Sequence, residues 1–401
     1  MHIALLTAEY PPRPGGVGDY TRRLAQALRQ PGSTVSVITG QDIVPPVDIG
    51  IAVYPLVRGW DWRSWQDVIA LLDQLRPAVL HIQYQTGAYG MHPAINLLPW
   101  RLRALGQHGI RVVVTFHDVL EPYLFPKAHR VGARQRVTRQ LAADSDAVIA
   151  TNPGDAAVLA QMVPHQQVHT IPIGSNIPMQ PPSGYQRDLW RMRLGVAPGE
   201  SLVAYFGMLS PAKGFDMLLE IVPLLPGVRL LLIGGAAAAP HDQPYAEQVR
   251  ARIEELALNG VSIIQTGHVA PGEVSAHLLA ADVVVLPFRE GVSFRSGSLL
   301  AALEHGCAVV TTASPTAPAA APAFPTLQDG EHALLVPPDD IHALAAALRR
   351  CLTDHGLRAS LGYAARHLAP YFGWSAIAAR HHAIYARQHG LCSTPGVVPY
   401  V

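Results

Sequence analysis

Apolar residues along this chain fall into short continuous runs, each followed by small or turn-forming residues and then by a stretch with helical spacing. The first runs are HIALLT at 2–7, VSVIT at 35–39, VLHIQ at 79–83, RVVVTFH at 111–117 and AVIAT at 147–151. Unbroken Val/Ile/Leu runs, rather than alternating ones, are what a parallel sheet covered on both faces requires. Amphipathic segments at about 20–30, 65–75 and 131–143 lie between them and predict helices. Strands alternating with helices predict a doubly wound α/β sheet.

The rhythm stops at 174–185, GSNIPMQPPSGY, where Gly, Pro and Ser replace any periodicity, as in a linker. It restarts with LVAYFG at 202–207, VRLLLIG at 228–234, VSIIQTG at 261–267, ADVVVLPF at 281–288 and CAVVTT at 307–312. An Ala/Pro-rich stretch at 313–325 reads as a surface loop, and helices at about 340–353, 356–368 and 374–388 close the chain. The expected organisation is therefore one α/β domain over 1–178, a second over 179–370 and a final helical segment and tail over 371–401. Two such sheets would face a central cleft at their carboxyl ends, where open α/β folds bind ligands.

Composition narrows the function. Hydrophobic residues make up 49% of the 401 residues and charged residues 15%, so the chain folds and is long enough for two cores. A balance of 30 basic and 29 acidic residues argues against nucleic acid as the main partner. The three cysteines, Cys307, Cys351 and Cys392, show no CxxC spacing, so neither a disulfide framework nor a zinc site is expected. Among 19 histidines only His381 and His382 are adjacent, and no metal site is read from them. The opening apolar run is short and lacks a basic leader, and no stretch approaches the roughly 20 apolar residues of a membrane span. The expected location is cytoplasmic.

Four loops carry candidate chemistry. After the first strand, Gly15, Gly16 and Gly18 precede a helix expected near Asp19. Glycines let backbone approach a ligand, and a helix N-terminus attracts anions; a tight connection without ligand explains the same residues. The segment Phe206-Gly207-Met208-Leu209-Ser210-Pro211-Ala212-Lys213-Gly214 places a Lys in a strand-to-helix loop, either neutralising a diphosphate or simply solvated. The loop from Pro287 through Glu290 to Arg295-Ser296-Gly297-Ser298 enters a helix expected at 299–305. Its backbone N–H groups suit phosphate, and Arg295 could pair bidentately. Glu290 is a candidate catalytic or hydroxyl-binding carboxylate. His117, at the end of the 111–117 run, could hydrogen-bond substrate hydroxyls or be structural.

In this order, YPPRPGGVGDYTRRLAQAL, HIQYQ, TFHD, ADSDAVIATN, IPIGSN, YFGMLSPAKGFDMLL, TGHVAPGEV, ADVVVLP and DGEHALLVPPDD resemble the family-4 retaining GT-B glycosyltransferases over most of the chain. The resemblance implies a GT-B fold of two Rossmann-like domains and transfer of a sugar from a nucleotide donor, UDP- or GDP-linked, without metal or other cofactor. It implies that Gly15, Gly16 and Gly18 line the cleft, that His117 contacts the donor sugar and that Lys213 balances the leaving diphosphate. It also implies that backbone groups of Arg295, Ser296 and Gly297 hold the distal phosphate. The final helix, after Pro370-Tyr371-Phe372-Gly373-Trp374, would return to the first domain.

Two departures stand out. The Arg that follows the FG turn in this family is Met208 here, and the family's Glu-x7-Glu pair aligns on Ser293 and Ala301. Glu290 and Glu304 each lie three residues from the expected carboxylate, and GVSFRSGSLLAAL resembles a subgroup lacking the pair. Arg295 is expected to supply the charge that Met208 does not. The acceptor, a glycan, lipid or small molecule, is expected on the first domain. There Tyr123-Leu124-Phe125-Pro126, Lys127, Arg130, Arg134, Arg136 and Arg139 offer either a peripheral contact with the inner membrane face or a solvated helix. A sugar-nucleotide epimerase or hydrolase, and a non-catalytic sugar- or partner-binding descendant, remain open on the residues alone.

Overall fold

The computed structural model describes residues 1–13, 15–107, 109–119, 132–237, 240–261, 263–314 and 324–386. The chain divides into two compact units, 1–173 with 374–401, and 174–373.

Unit 1 begins β1 (His2–Leu6), α1 (Gly16–Leu28), β2 (Thr34–Gly40), β3 (Ile51–Val57), α2 (Ser64–Leu75) and β4 (Val79–Tyr84). It continues with α3 (Leu98–Ala104), β5 (Arg111–Phe116), α4 (Ala133–Asp144), β6 (Ala147–Ala150), α5 (Pro153–Met162) and β7 (Val168–Thr170). The seven strands are parallel in the order β3-β2-β1-β4-β5-β6-β7. Alternate residues of each strand feed two cores, one on each sheet face, as the period-two pleat requires. The central strands β1, β4, β5 and β6 are nearly all buried, which is why they appear in the sequence as apolar runs.

Unit 2 repeats the plan with α6 (Arg187–Arg193), β8 (Ser201–Leu209), α7 (Phe215–Ile221), β9 (Val228–Ala237), α8 (Gln243–Leu258), β10 (Ile263–Gln265) and α9 (Pro271–Ala280). Then follow β11 (Val283–Leu286), α10 (Gly297–Glu304), β12 (Val309–Thr312), β13 (Leu334–Val336), α11 (Ile341–Thr353) and α12 (His355–Leu368). Its parallel sheet runs β10-β9-β8-β11-β12-β13 around one continuous apolar core. Helix α13 (Trp374–Ala386) then joins unit 1 and packs along α1.

The units divide at Ile173/Gly174 and Gly373/Trp374, where the sequence drew the borders after 178 and after 370. Side-chain packing fixes both points. Ile171 and Ile173 pack with the unit 1 core, while Phe372 stacks on Phe294 of unit 2 at 4.5 Å. The next aromatic, Trp374, packs instead on Tyr20 of α1, 5.3 Å between ring centroids.

Three strands had no signal in the sequence: β3, β7 and β13. Each is a sheet edge, and β3 carries Pro55, whose missing N–H an edge strand tolerates because no donor is needed on its open side. The α1 helix starts at Gly16 rather than near Asp19, so Gly16 and Gly18 lie in its first turn. Most of the Ala/Pro-rich stretch and Cys392 fall outside the described residues.

Candidate functional site

In each sheet the strand order reverses direction beside the first strand, between β1 and β4 in unit 1 and between β8 and β11 in unit 2. Loops leaving the carboxyl ends of such strand pairs diverge and leave room for ligands.

In unit 2 those loops hold Lys213 and residues 287–298. Lys213 ends a single 3₁₀ turn, Pro211–Lys213, and Gly214 follows with φ +65°. A Cβ on Gly214 would stand 2.1 Å from the Pro287 carbonyl oxygen, so only glycine lets the two loops pack backbone against backbone. Arg289 then locks them together. Its backbone N–H donates to the Ala212 carbonyl at 3.0 Å. Its guanidinium donates to Pro211 O at 2.7 Å, to both oxygens of Asp216 at 3.1 and 2.7 Å, and to Asp339 at 2.8 Å. Burial pushes the Asp216 carboxyl up, yet the bonds from Arg289 and Tyr245 outweigh it and hold the group below its usual range. Bonding to Asp216 raises the Arg289 guanidinium in turn, and its donors are committed to the clamp.

The clamp leaves Lys213 against an apolar wall. Its Nζ lies 4.6 Å from the centre of the Phe288 ring. Burial lowers the ammonium pKa, and the charge of Glu290 partly opposes the shift. A partly desolvated cation at a strand's carboxyl end attracts anions more strongly than one in bulk water. Toward the carboxyl ends of β8 and β9 the backbone is bare. Gly207 pairs with Gly234, whose own Cβ would come within 2.8 Å of Gly207 O, and Gly235 follows with φ +88°. Gly234 and Gly235 are absent from the candidates drawn from the sequence, although a glycine pair directly after the run VRLLLI is a visible signal.

The other expected residues of unit 2 are distributed as follows. Ser296 caps α10, its hydroxyl accepting from the Leu299 N–H at 3.4 Å, and Gly297 and Ser298 form the first turn. The cap is neutral and the first turn of the helix carries no acidic residue. Ser298 Oγ lies near Gly207, 3.1 Å from where a Cβ would stand. Arg295 and Glu290 are exposed. Met208 is 55% exposed, and its carbonyl accepts from the Tyr205 hydroxyl at 3.0 Å. Ser293 is exposed, whereas Ala301 is fully buried in the apolar core, so neither carboxylate of the expected pair has a replacement at its own position.

Unit 1 presents different chemistry. The N-terminus of α1, where Gly15, Gly16 and Gly18 lie, has an acid of its own beside it: the half-buried carboxylate of Glu9 lies against Gly15, and the backbone of Gly18 and Val17 favours its charged form. A Cβ on Gly15 would lie 2.3 Å from Glu9 Oε2, and one on Gly18 about as close to the Glu9 backbone as contact allows, at 3.0 Å. Burial raises the Glu9 pKa, opposed by Arg13 and the backbone donors. A carboxylate in that place suits a hydroxyl donor rather than a phosphate.

His117 follows β5. Its N–H donates to Tyr84 O at 2.9 Å, its Nε2 lies 3.0 Å from Gln83 Oε1, and its ring meets Tyr20 edge-on at 4.8 Å. Beneath it the otherwise apolar sheet face turned to α1 and α13 carries polar side chains. His81 Nδ1 lies 2.7 Å from the Tyr385 hydroxyl and its Nε2 2.7 Å from Thr115 Oγ1. Burial drives His81 well below the ordinary imidazole range and takes His381 down to about 4. Next to His117, Asp118 accepts from the Gln85 amide at 3.0 Å.

Of the basic candidates, Tyr123 to Arg130 lie outside the described residues. Arg136 and Arg139 are exposed on α4, and Arg134 donates to the Met91 carbonyl. Among the described residues no helix is long and apolar enough to cross a membrane, and no group of three or more His, Cys, Asp or Glu could hold a metal ion.

The glycosyl transferase 4-like domain matches residues 15–174, and the glycosyl transferases group 1 domain matches residues 200–354. The chain belongs to the group 1 glycosyltransferases. This glycosyltransferase is 26% identical over 399 residues to the D-inositol 3-phosphate glycosyltransferase of Xylanimonas cellulosilytica, covering 93% of this chain and 92% of that one. In fold it is similar to the sucrose-phosphate synthase of Thermosynechococcus elongatus, with a TM-score of 0.74, 23% identity and coverage of 96% and 98%. It is also similar to HepE of Anabaena in complex with UDP, with a TM-score of 0.72, 19% identity and coverage of 96% and 100%. The fold is GT-B, and the enzyme moves a sugar from a nucleotide-sugar donor.

Proposed function

We propose that this glycosyltransferase takes a hexose from a UDP- or GDP-sugar and passes it, with retention of anomeric configuration and without a metal, to a hydroxyl of a polyol, glycan or lipid acceptor. The observation that carries this reading is Lys213, a desolvated cation clamped by Arg289 beside bare glycine backbone. That arrangement suits a diphosphate whose charge grows as the bond to the sugar breaks. Gly207, Met208, Ser296, Gly297 and Ser298 offer backbone groups nearby in unit 2, and Arg295 a second cation. In unit 1, His117 and Glu9 meet hydroxyls. The C1–O bond to the diphosphate breaks, a bond from the acceptor oxygen forms on the same face, and the acceptor proton passes to a diphosphate oxygen.

The acceptor class is supported by the relative's inositol phosphate, and UDP by the HepE complex. Cytoplasmic residence, with peripheral contact to an anionic membrane face through Arg134, Arg136 and Arg139, completes the reading; flotation with anionic liposomes tests the contact. The main test is a thermal-shift panel of UDP-, GDP-, ADP- and dTDP-sugars on the wild type and Lys213→Ala. One nucleotide class should raise the wild-type midpoint and leave the variant unmoved, because a ligand binding only the native state stabilises it. No shift with any donor favours the non-catalytic reading that the missing carboxylates at 293 and 301 suggest.

A further inference from the structure

Gln83 stands near the carboxyl end of β4, wholly buried, in register with Thr115 of β5. It shares a sheet face with Val79, which packs in the core beneath α1, and with His81, which meets Tyr385 of α13. Its neighbours on the opposite face, Ile82 and Tyr84, belong to the other core. A buried amide in such a strand is out of pattern. Packing alone would place Val, Ile or Leu there, and burying an amide is unfavourable unless its polar atoms are used. Gln83 uses one of the two: Oε1 lies 3.0 Å from His117 Nε2, while its own Nε2 has no partner. Tyr20 closes a second side of the imidazole, and Trp374 of α13 backs Tyr20.

We propose that Gln83 is a positioning residue for His117, fixing which nitrogen of the imidazole carries the proton. A carboxamide oxygen only accepts, so the bond requires a proton on Nε2. In the neutral ring Nδ1 then carries the lone pair. An amide does this without a charge, whereas a carboxylate in its place would favour the imidazolium. Among the described residues, the other titratable groups around the ring are Tyr20 from α1, His81 from β4 and the adjacent Asp118; α13 contributes the uncharged Trp374 behind Tyr20. In its neutral form the ring is thereby an oriented acceptor for a hydroxyl of a sugar or polyol. This role in transfer rests on the reading of His117 as a substrate-contacting group.

The test uses the full chain labelled with ¹⁵N-histidine, as wild type, His117→Gln for assignment, Gln83→Met and Gln83→Glu. Long-range ¹H–¹⁵N spectra read the tautomer directly and without substrate. The wild type should show His117 protonated at Nε2. Gln83→Met, equal in length and without an acceptor, should give a mixture, and Gln83→Glu should retain the Nε2 proton and hold imidazolium to higher pH. In transfer assays Gln83→Met should lower kcat by about 10- to 100-fold, the usual cost of a misplaced group, with a smaller change in donor KM. A wild-type ring protonated at Nδ1, or a tautomer unchanged in Gln83→Met, overturns the proposal. A changed tautomer with unchanged kcat upholds the bond and overturns the reading of His117 instead. Gln83→Glu, nearly isosteric, keeps the test decisive should the methionine variant fail to fold.

Discussion

The two units build the same motif, a parallel strand, a glycine-bearing loop and a helix N-terminus, and load it with opposite chemistry. In unit 1 the chain's own Glu9 carboxylate lies at the head of α1, against Gly15. In unit 2 the head of α10 has only a neutral serine hydroxyl, and a desolvated Lys213 stands on the neighbouring loop. A helix terminus filled by an internal anion has little left for a phosphate, while an uncharged cap beside a cation retains its pull. One topology thus presents a carboxylate in one copy and a cation in the other. The cores differ in the same sense. The sheet face under α13 in unit 1 carries the linked polar side chains His81, Thr115, Gln83 and His117, and the Lys213 loop of unit 2 rests on Phe288.

The sharpest way to break this contrast is to remove its cation. Lys213→Ala should lower kcat by roughly 10²–10³, the usual cost of losing a group aimed at developing charge; a steady-state rate within a few-fold of wild type would sink the assignment. Next in size is the clamp. Arg289→Ala leaves Asp216 without its ion-pair partner and frees the Pro211–Lys213 turn, so donor KM should rise about 10- to 100-fold, in line with one lost charged interaction of about 1.5–3 kcal/mol. Unfolding midpoints measured alongside separate a loosened loop from a lost fold.

The polar face of unit 1 predicts acid sensitivity. His381 is fully buried with a folded pKa of about 4 against 6.5 when free, so the unfolded chain takes up its proton first. Its contribution to stability is complete above pH 6.5 and is lost as pH falls toward 4. His381→Leu should therefore flatten the pH dependence of the urea midpoint in that window, by up to about 1.4 kcal/mol per pH unit. An unchanged slope would place the acid sensitivity elsewhere. The smallest effect expected is a gain. Met208 is exposed, so Met208→Arg adds a further cation on the loop that carries Lys213 with little cost to the fold, and donor affinity should rise about three- to tenfold in a binding titration. No gain would mean that the side chain at 208 points away from the donor.

Much of the architecture is legible in the order of residues. Strands buried on both faces must be apolar at nearly every position, so β1, β4, β5, β6, β8, β9 and β11 stand out as unbroken runs. The edge strands β3, β7 and β13 do not: β7 and β13 are three residues long and β3 is interrupted by Pro55. Lys213 and His117 can be picked out as residue types at strand ends. What surrounds them cannot. Arg289 meets Asp216 across 73 positions, and Gln83 meets His117 across 34. Nor does any local pattern say that Glu9 folds back onto the glycines that follow it. The layered α/β units and the loops that carry chemistry follow from the chain alone, since burial and turn geometry act on neighbouring residues. Which charges are spent inside the protein and which remain for a ligand is settled in three dimensions, because pairing depends on distances between loops that the order of strands in each sheet brings together.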